Sequence, residues 1–552
     1  MRLPSDEDPV PAPPLRQPPG RGWGALAGLL AAGSALAVGE LVAGLSDRLA
    51  SPVITVGNRV VDAVPRPVKD LAIEWFGTND KVALLVGIGV LTAVFGLVLG
   101  IVARRRPIVG VVGIGAFGAV GTWAAGQEVG APWWAGAPSI VGAVVGIGVL
   151  LLLVDRLPAR GPAADASGPD HETGDPAPDG RTAGWGPALA PAPTAPTAAV
   201  GRRRFLATSG AVAVVAVAAA SGGRWLQQRF SAAGSRLAVV LPTPKRSAPP
   251  LPPAAVLEVE GISPFLTPNR DFYRIDTNLT VPQLATEDWS LRITGMVDDE
   301  LELTYEDILA MDMVEERITM TCVSNEVGGG LVGTAEWLGV RLDDLLDRAG
   351  IQAGADQVVG RAFDGFTTGF PVDTLDGRPA LLAVGMNGEP LPLAHGFPAR
   401  IIVPGLYGFV SATKWLTEIE LTTFDAFDQY WVERDWSDRG PIKTMARIDT
   451  PRGLQKLPAG PARIGGVAWA QTRGIEKVEV RLDDGEWTEA TLAAEDSTLT
   501  WRQWVYEFDA TPGRHQVVCR ATDATGEVQT EERARPFPDG ASGWHSVAFL
   551  VT

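Results

Sequence analysis

The stretch Ile318-Thr-Met-Thr-Cys322-Val-Ser-Asn325-Glu-Val-Gly-Gly-Gly330 changes character at its centre. Its first part is apolar and β-branched, as expected of a strand that ends at the cysteine. Its second part is polar and glycine-rich, which is loop chemistry rather than core chemistry. Cys322 sits at the join. The chain's other cysteine, Cys519, shares one strand face with Val517 and Ala521 and reads as a core residue. Two cysteines make no disulfide framework. An exposed lone thiol is more often inert than reactive, so Cys322 has to be judged by its company.

Outward from Cys322, residues 256–440 mix strands and helices in an α+β pattern. Residues 289–297, 401–404 and 414–421 read as strands. Thr304-Tyr-Glu-Asp307 has the form of a capping box that opens a short helix. Leu342, Leu345, Leu346 and Ala349 keep helical spacing, with Gly350 as the stop. Residues 441–552 are all strand. Val478, Val480 and Leu482 alternate with charged neighbours before an Asp484-Gly485 turn, and Trp504, Tyr506 and Phe508 alternate before Pro512-Gly513. Short alternating strands with regular turns suggest an immunoglobulin-like sandwich.

The first 225 residues are different. The 552-residue chain is 46% hydrophobic and only 20% charged, with a mean hydropathy of +0.12, and its apolar residues concentrate here. Residues 1–22 are Pro-rich and read as a disordered tail. Apolar runs at about 23–45, 82–103, 107–126 and 137–154 are long enough to span a bilayer as helices, giving a four-helix region over 23–154. Between the first two, residues 51–77 read as a loop with an interfacial helix. A linker at 155–204, rich in Pro, Ala, Gly and Asp, reads as disordered and cytoplasmic. A fifth apolar run occupies 205–221, and a stiff Pro-rich spacer fills 222–255. Arg16, Arg21, Arg104–Arg105–Arg106, Arg156, Arg160 and Arg202–Arg203–Arg204 all fall on one side if the chain crosses five times. That side is the cytoplasm, which puts everything after Ser221 outside. Arg202-Arg203-Arg204-Phe205-Leu206 also has the form of a twin-arginine export signal, which suits a domain exported already folded.

Several functions are disfavoured at this stage. The formal net charge of −17 argues against a nucleic-acid partner. Gly113-Ile-Gly115-Ala-Phe-Gly118 matches a dinucleotide-binding fingerprint, but it lies inside an apolar run without strand–turn–helix context. Small residues there serve close helix packing. None of the four histidines (His171, His395, His515, His545) lies in an apolar run, so the helices cannot hold a haem through paired histidines. Glu40, near the outer end of the first run, can reach the headgroups. The helices read as an anchor rather than a transporter.

Five segments in order give Cys322 its company. They are Thr267-Pro-Asn269-Arg-Asp-Phe272-Tyr273-Arg274, Thr321-Cys322-Val-Ser-Asn325, His395-Gly-Phe-Pro-Ala-Arg400, Val403-Pro-Gly-Leu-Tyr-Gly408 with Ser411-Ala-Thr-Lys414-Trp-Leu, and Gly466-Val-Ala-Trp with Pro512-Gly-Arg-His and Arg520-Ala-Thr-Asp. Together they resemble the molybdenum-binding and dimerisation domains of the sulfite-oxidase family. The resemblance covers about 295 residues. It implies a molybdenum–molybdopterin cofactor with Cys322 as the metal ligand. It also implies cofactor contacts from Asn269, Phe272, Tyr273, Arg274, Asn325, His395, Arg400, Ser411 and Lys414, with Arg274, if it faces the metal, steering an anionic or polar substrate. The chemistry agrees: a thiolate is a soft donor for such a metal, and the planar fork of Arg400 suits a phosphate.

Two departures from the family bear on the substrate. Where sulfite oxidases continue the ligand loop with arginines, this chain has Glu326 and Val327. The family's active-site tyrosine is expected to fall at Trp436. The resemblance therefore implies two-electron oxygen-atom transfer on a small molecule, but not sulfite as that molecule. No haem or iron–sulfur motif is present, so electrons must pass to a separate protein or a quinone. A homodimer through 441–552 is implied as well. The rival reading is a catalytically silent membrane receptor or scaffold that has kept the fold.

Overall fold

A computed structural model describes residues 20–46, 48–65, 68, 71, 75–76, 80–128, 130–158 and 198–552. The readings of 1–19, Arg160, His171 and most of the 155–204 linker lie outside the described residues. The chain divides between Phe230 and Ser231 into two units.

The first unit is helical: α1 (Arg21–Ala43), α2 (Pro52–Ala63), α3 (Asp80–Ala103), α4 (Pro107–Gly126), α5 (Ala137–Asp155) and α6 (Ala198–Gln228). Among the described residues five helices are long and apolar enough to cross a membrane by length and composition. Close packing depends on glycine. A Cβ on Gly28 would lie 2.0 Å from the Gly96 carbonyl oxygen, so α1 and α3 touch backbone to backbone. The Gly113–Gly118 run lies within α4, where Gly113 faces Leu99 and Gly118 faces Ala143. Ser51 caps α2 and donates a hydrogen bond to the Glu40 carboxylate.

Two boundaries differ from the sequence reading. The fifth apolar helix covers Ala198–Gln228 rather than 205–221, because the three arginines are good helix formers and extend it backwards. The spacer expected at 222–255 is helical at its start and again in α7 (Ala233–Ala238). Its extended part is not free. Lys245 N–H donates to Met313 O at 2.8 Å and Glu315 N–H to Arg246 O at 2.9 Å, so it lies along a strand edge. An edge is where a proline-rich strip can pair without supplying every N–H.

In the second unit, ten strands build the α+β part: β1 (Ser290–Gly295), β2 (Leu301–Thr304), β3 (Met313–Thr321), β4 (Val332–Arg341), β5 (Gln357–Ala362), β6 (Thr367–Pro371), β7 (Leu381–Met386), β8 (Glu389–Pro390), β9 (Arg400–Ile402) and β10 (Leu416–Thr422). One sheet runs β2-β1-β10-β5-β6, with β1 and β10 parallel. The other runs β3-β4-β7-β8, with β9 on β7. A shared core that includes Leu291, Val340, Phe370, Leu382 and Ile419 joins them. The capping box at Thr304 opens α8 (Tyr305–Leu309), and α9 (Leu342–Ala349) ends at Gly350 with φ 71°.

The last part is rich in β-sheet: β11 (Met445–Thr450), β12 (Lys456–Leu457), β13 (Gly460–Trp469), β14 (Ile475–Leu482), β15 (Thr488–Glu489), β16 (Thr491–Leu492), β17 (Arg502–Ala510), β18 (Gly513–Asp523) and β19 (His545–Val551). Its two sheets, β11-β13-β17-β16 and β12-β19-β18-β14-β15, share a core of Ile464, Val478, Trp504, Val517, Cys519 and Phe549.

Candidate active site

Cys322 follows β3 directly and opens the loop to β4. Cys322 N–H donates to Leu331 O at 2.9 Å, and Asn325 Oδ1 accepts from Leu331 N–H at 2.8 Å. These bonds close the loop on itself, so the cysteine is held rather than left hanging. Gly328 takes φ 81°, and a Cβ there would meet the His545 ring at 2.3 Å, so only glycine lets β19 pack under the loop.

The segment before β1 supplies the opposite wall. Phe272 stacks on Tyr273 with ring centroids 5.2 Å apart and meets Trp337 and His395 edge-on. His395 lies in a turn before β9, and its Nε2 is 3.0 Å from Asn269 O. Arg400 opens β9. Its Nη1 donates to His395 O at 3.0 Å, and the guanidinium lies 5.3 Å from the Trp337 ring. Lys414, between α10 (Gly408–Ser411) and β10, places Nζ 3.0 Å from Asp276 Oδ2.

These walls enclose a cavity of about 750 Å³, counted to its open mouth, with Cys322, Tyr273, His395, Arg400 and Lys414 on its surface. The charges there are under tension. Burial lowers the Lys414 ammonium to about 8, with Asp276 opposing the shift and Arg400 adding to it. Burial lowers Arg400 to about 10. It also lowers His395 to about 4, and the neighbouring guanidinium adds to the effect, so this imidazole is neutral at pH 7. Burial raises the Cys322 thiol, while hydrogen bonds from Ser324 and the Lys414 ammonium pull it back. Tyr273 is pushed well up by burial.

The nominated residues do not all meet. Phe272, Tyr273, Cys322, His395, Arg400 and Lys414 line the cavity. Asn269, Arg274, Asn325 and Ser411 are not among the lining residues. Asn269 braces His395, Asn325 braces the cysteine loop, and Ser411 Oγ donates to Tyr407 O at 3.1 Å within its own turn. Arg274 was expected to steer an anionic or polar substrate if it faced the metal. Instead its Nε lies 2.6 Å from Asp276 Oδ2, because a buried carboxylate draws in the nearest cation. Trp436 is displaced too. Asp435 takes φ 64°, and Trp436 packs on Phe409 and Phe537, while Trp431 reaches the wall. Asp276, Asp364 and Phe366 also line the cavity and escaped the sequence reading.

One buried group lacks a partner. Arg400 Nε is buried and has no hydrogen-bond partner among the described residues. A buried cationic donor left open in a cavity wall calls for an anion. Together with a second buried cation, a neutral imidazole and a thiol, this donor set fits a phosphate-bearing cofactor that carries a soft metal.

Residues 278–431 match the oxidoreductase molybdopterin binding domain, and the chain belongs to this family of sulfite-oxidase-type molybdenum oxidoreductases. Its cofactor is molybdenum held by molybdopterin. It is 36% identical over 152 residues to the uncharacterized oxidoreductase YuiH of Bacillus subtilis (strain 168), covering 28% of this chain and 74% of that protein. It is 28% identical over 343 residues to the mitochondrial sulfite oxidase of Homo sapiens, covering 52% of this chain and 62% of that protein. The chain thus spans less than two thirds of that relative's length. Among solved structures it is similar to the sulfane dehydrogenase SoxCD from Paracoccus pantotrophus, at 22% identity and a TM-score of 0.47, covering 55% of this chain and 86% of that one.

Proposed function

We propose that this protein is a membrane-anchored molybdenum-cofactor oxidoreductase that carries out two-electron oxygen-atom transfer on a small molecule outside the cytoplasm. The observation that carries this reading is the open Arg400 guanidinium on the same cavity as Cys322, His395 and Lys414. When bound, the cofactor supplies the oxygen-atom and electron chemistry.

The chain's own residues do the rest. Cys322 Sγ is the assigned metal ligand, and the ammonium of Lys414 and the Ser324 hydrogen bonds favour its thiolate. Arg400 offers the phosphate a charge-assisted donor that the fold leaves free. His395, neutral, donates or accepts without adding charge. Phe272 and Tyr273 build the wall, while Asn269, Asn325 and Ser411 act behind it. Arg274 is a positioning residue through Asp276. Loop and walls leave Cys322 only 7% exposed, and low exposure strengthens each electrostatic contact.

Five apolar helices support the anchor, and the arginine clusters support a cytoplasmic N-terminus with the catalytic part exported through the twin-arginine-like start at 202–206. The two-sheet C-terminal part supports an immunoglobulin-like domain and, through it, a homodimer. A separate redox protein or a quinone takes or gives the electrons. Metal analysis of protein purified from membranes tests the reading: about one molybdenum per chain and no haem absorption are expected. Protein without molybdenum would favour a silent receptor. Protease added to intact cells should cleave after residue 230 and spare 104–106.

A further inference from the structure

The β3–β4 hairpin that carries Cys322 is gripped from outside its own sheet, by the C-terminal part. Upstream of the cysteine the grip is on Thr319. Its N–H donates to Leu499 O at 3.0 Å, its carbonyl accepts from Gln471 Nε2 at 2.8 Å, and its hydroxyl accepts from Trp501 N–H at 2.7 Å. Downstream the grip is on Gly329, whose carbonyl accepts from Arg447 Nη1 at 2.9 Å. The same guanidinium sends Nε to Asp449 Oδ1 at 2.6 Å and Nη2 to Ser263 Oγ at 2.9 Å. Asp449 Oδ2 in turn accepts from Ser263 N–H at 2.9 Å. The Arg447 and Asp449 side chains are 9% and 7% exposed. A buried ion pair is a costly way to stabilise a fold, and packed apolar residues serve stability as well. An apolar residue cannot, however, donate to a loop carbonyl. Gly328, Gly329 and Gly330 bring no side chain to hold the loop from within, so its far end depends on a donor from elsewhere.

We propose that Arg447 is a positioning residue for the metal-ligand loop. Through Gly329 O it fixes where the loop returns to β4, and so where Cys322 points. The C-terminal part thereby completes the site without lining the cavity, since Arg447 is not among the lining residues. This inference rests on the functional reading above, with Cys322 as the ligand, and adds the group that sets its direction. Arginine suits the task because its planar fork serves Asp449, Ser263 and Gly329 at once. A lysine ammonium keeps the charge for Asp449 but cannot span all three.

The two thiols give the test its own control, because Cys519 reports opening of the C-terminal core and Cys322 reports the loop. Iodoacetamide labelling of the cofactor-free full chain, read by mass spectrometry, gives both rates. Arg447→Lys should speed Cys322 by about tenfold, the scale of one lost bond from a charged donor, and leave Cys519 unchanged. Val480→Ala loosens the core around Cys519 and should speed Cys519 at least as much as Cys322. If Arg447→Lys fails to fold, Arg447→Met combined with Asp449→Asn removes both buried charges and should show the same selective gain at Cys322. In the loaded chain, partially reduced with dithionite, Arg447→Lys should shift the molybdenum electron paramagnetic resonance signal, and Val480→Ala should leave it as in wild type. Both thiols speeding together in the Arg447 variants, Cys322 unmoved, or a wild-type resonance signal in Arg447→Lys would each overturn the proposal. Molybdenum content of the wild-type chain decides the functional reading, whereas the labelling ratio is read without metal and decides the grip on the loop.

Discussion

Cys322 and Cys519 are equally hidden from solvent, at 7% and 0% exposure, yet they keep different company. Cys519 lies on the inner face of β18 among Val478, Val480, Trp504 and Phe549. Burial drives its thiol far up, the Asp449 carboxylate pushes the same way, and only a backbone N–H of His545 opposes them. Cys322 is raised by burial too, but hydrogen bonds from Ser324 and the Lys414 charge pull against that. Burial therefore does not distinguish the two sulfurs. What distinguishes them is whether the neighbours stabilise a negative charge and whether one face opens on a cavity.

The sharpest way to break this comparison is to swap the two thiols for hydroxyl and methyl. Cys322→Ser should lower turnover by about a thousandfold or more, about 4 kcal/mol in the barrier, with the circular dichroism spectrum unchanged. Cys519 should tolerate its own substitution without loss of turnover. In cofactor-free protein, iodoacetamide followed by mass spectrometry should label Cys322 first and Cys519 only on unfolding. In loaded protein neither should react. Retained turnover in Cys322→Ser would remove the assigned ligand.

Two histidines extend the comparison to pH. His395 lies on the cavity and His545 under the cysteine loop, and burial lowers each to about 4. A histidine whose folded value is lowered binds its proton later than the unfolded chain does. Stability is therefore full above the unfolded value near 6.5 and is lost as pH falls toward 4. Each contributes about 3 kcal/mol by this linkage. Denaturant midpoints of cofactor-free protein between pH 7 and 4 should show both losses, and His395→Gln should remove about half of the slope. A slope unchanged in that variant would mean that the imidazole is not buried neutral.

Arg400 gives an effect of opposite sign in two states. It is buried, with Nε open, so it strains the cofactor-free fold. Arg400→Met should raise the stability of cofactor-free protein by about 1–3 kcal/mol while lowering its molybdopterin content. Loss of stability in both states would make Arg400 a structural residue only.

The legible and illegible parts of the site divide along the same line. Cys322, His395, Arg400 and Lys414 could be named because their short segments resemble those of the sulfite-oxidase family, and the structure brings all four to one cavity. Asp276 and Asp364 could not. Each is an ordinary loop acid until the approach of β5 and β6 to the segment before β1 brings them to one cavity, and nothing local encodes that approach. Arg274 and Trp436 lie off that cavity for a related reason. Side-chain direction in an irregular segment depends on one partner or one backbone angle, here the Asp276 carboxylate and the φ of 64° at Asp435. The fold was more readable where periodicity acts: the α8 capping box and the Gly350 stop stand where the sequence puts them. The arginine-led extension of α6 was missed because a charge cluster was read as a boundary when it is also good helix sequence.

The smallest expected effect belongs to the quieter cysteine. Cys519→Ala removes one sulfur from a packed sheet interface where Val480 faces it across the β14–β18 pair. The loss is a small cavity and a few dispersion contacts, worth about 1–2 kcal/mol. Turnover and molybdenum content should not move, because Cys519 packs in the core shared by the two C-terminal sheets and does not line the cavity. A thermal scan beside an activity assay reads both quantities on one preparation. If Cys519→Ala lost molybdenum as well as stability, packing of the C-terminal part would be coupled to the cysteine loop. The Gly328–His545 contact is the place where that coupling would pass.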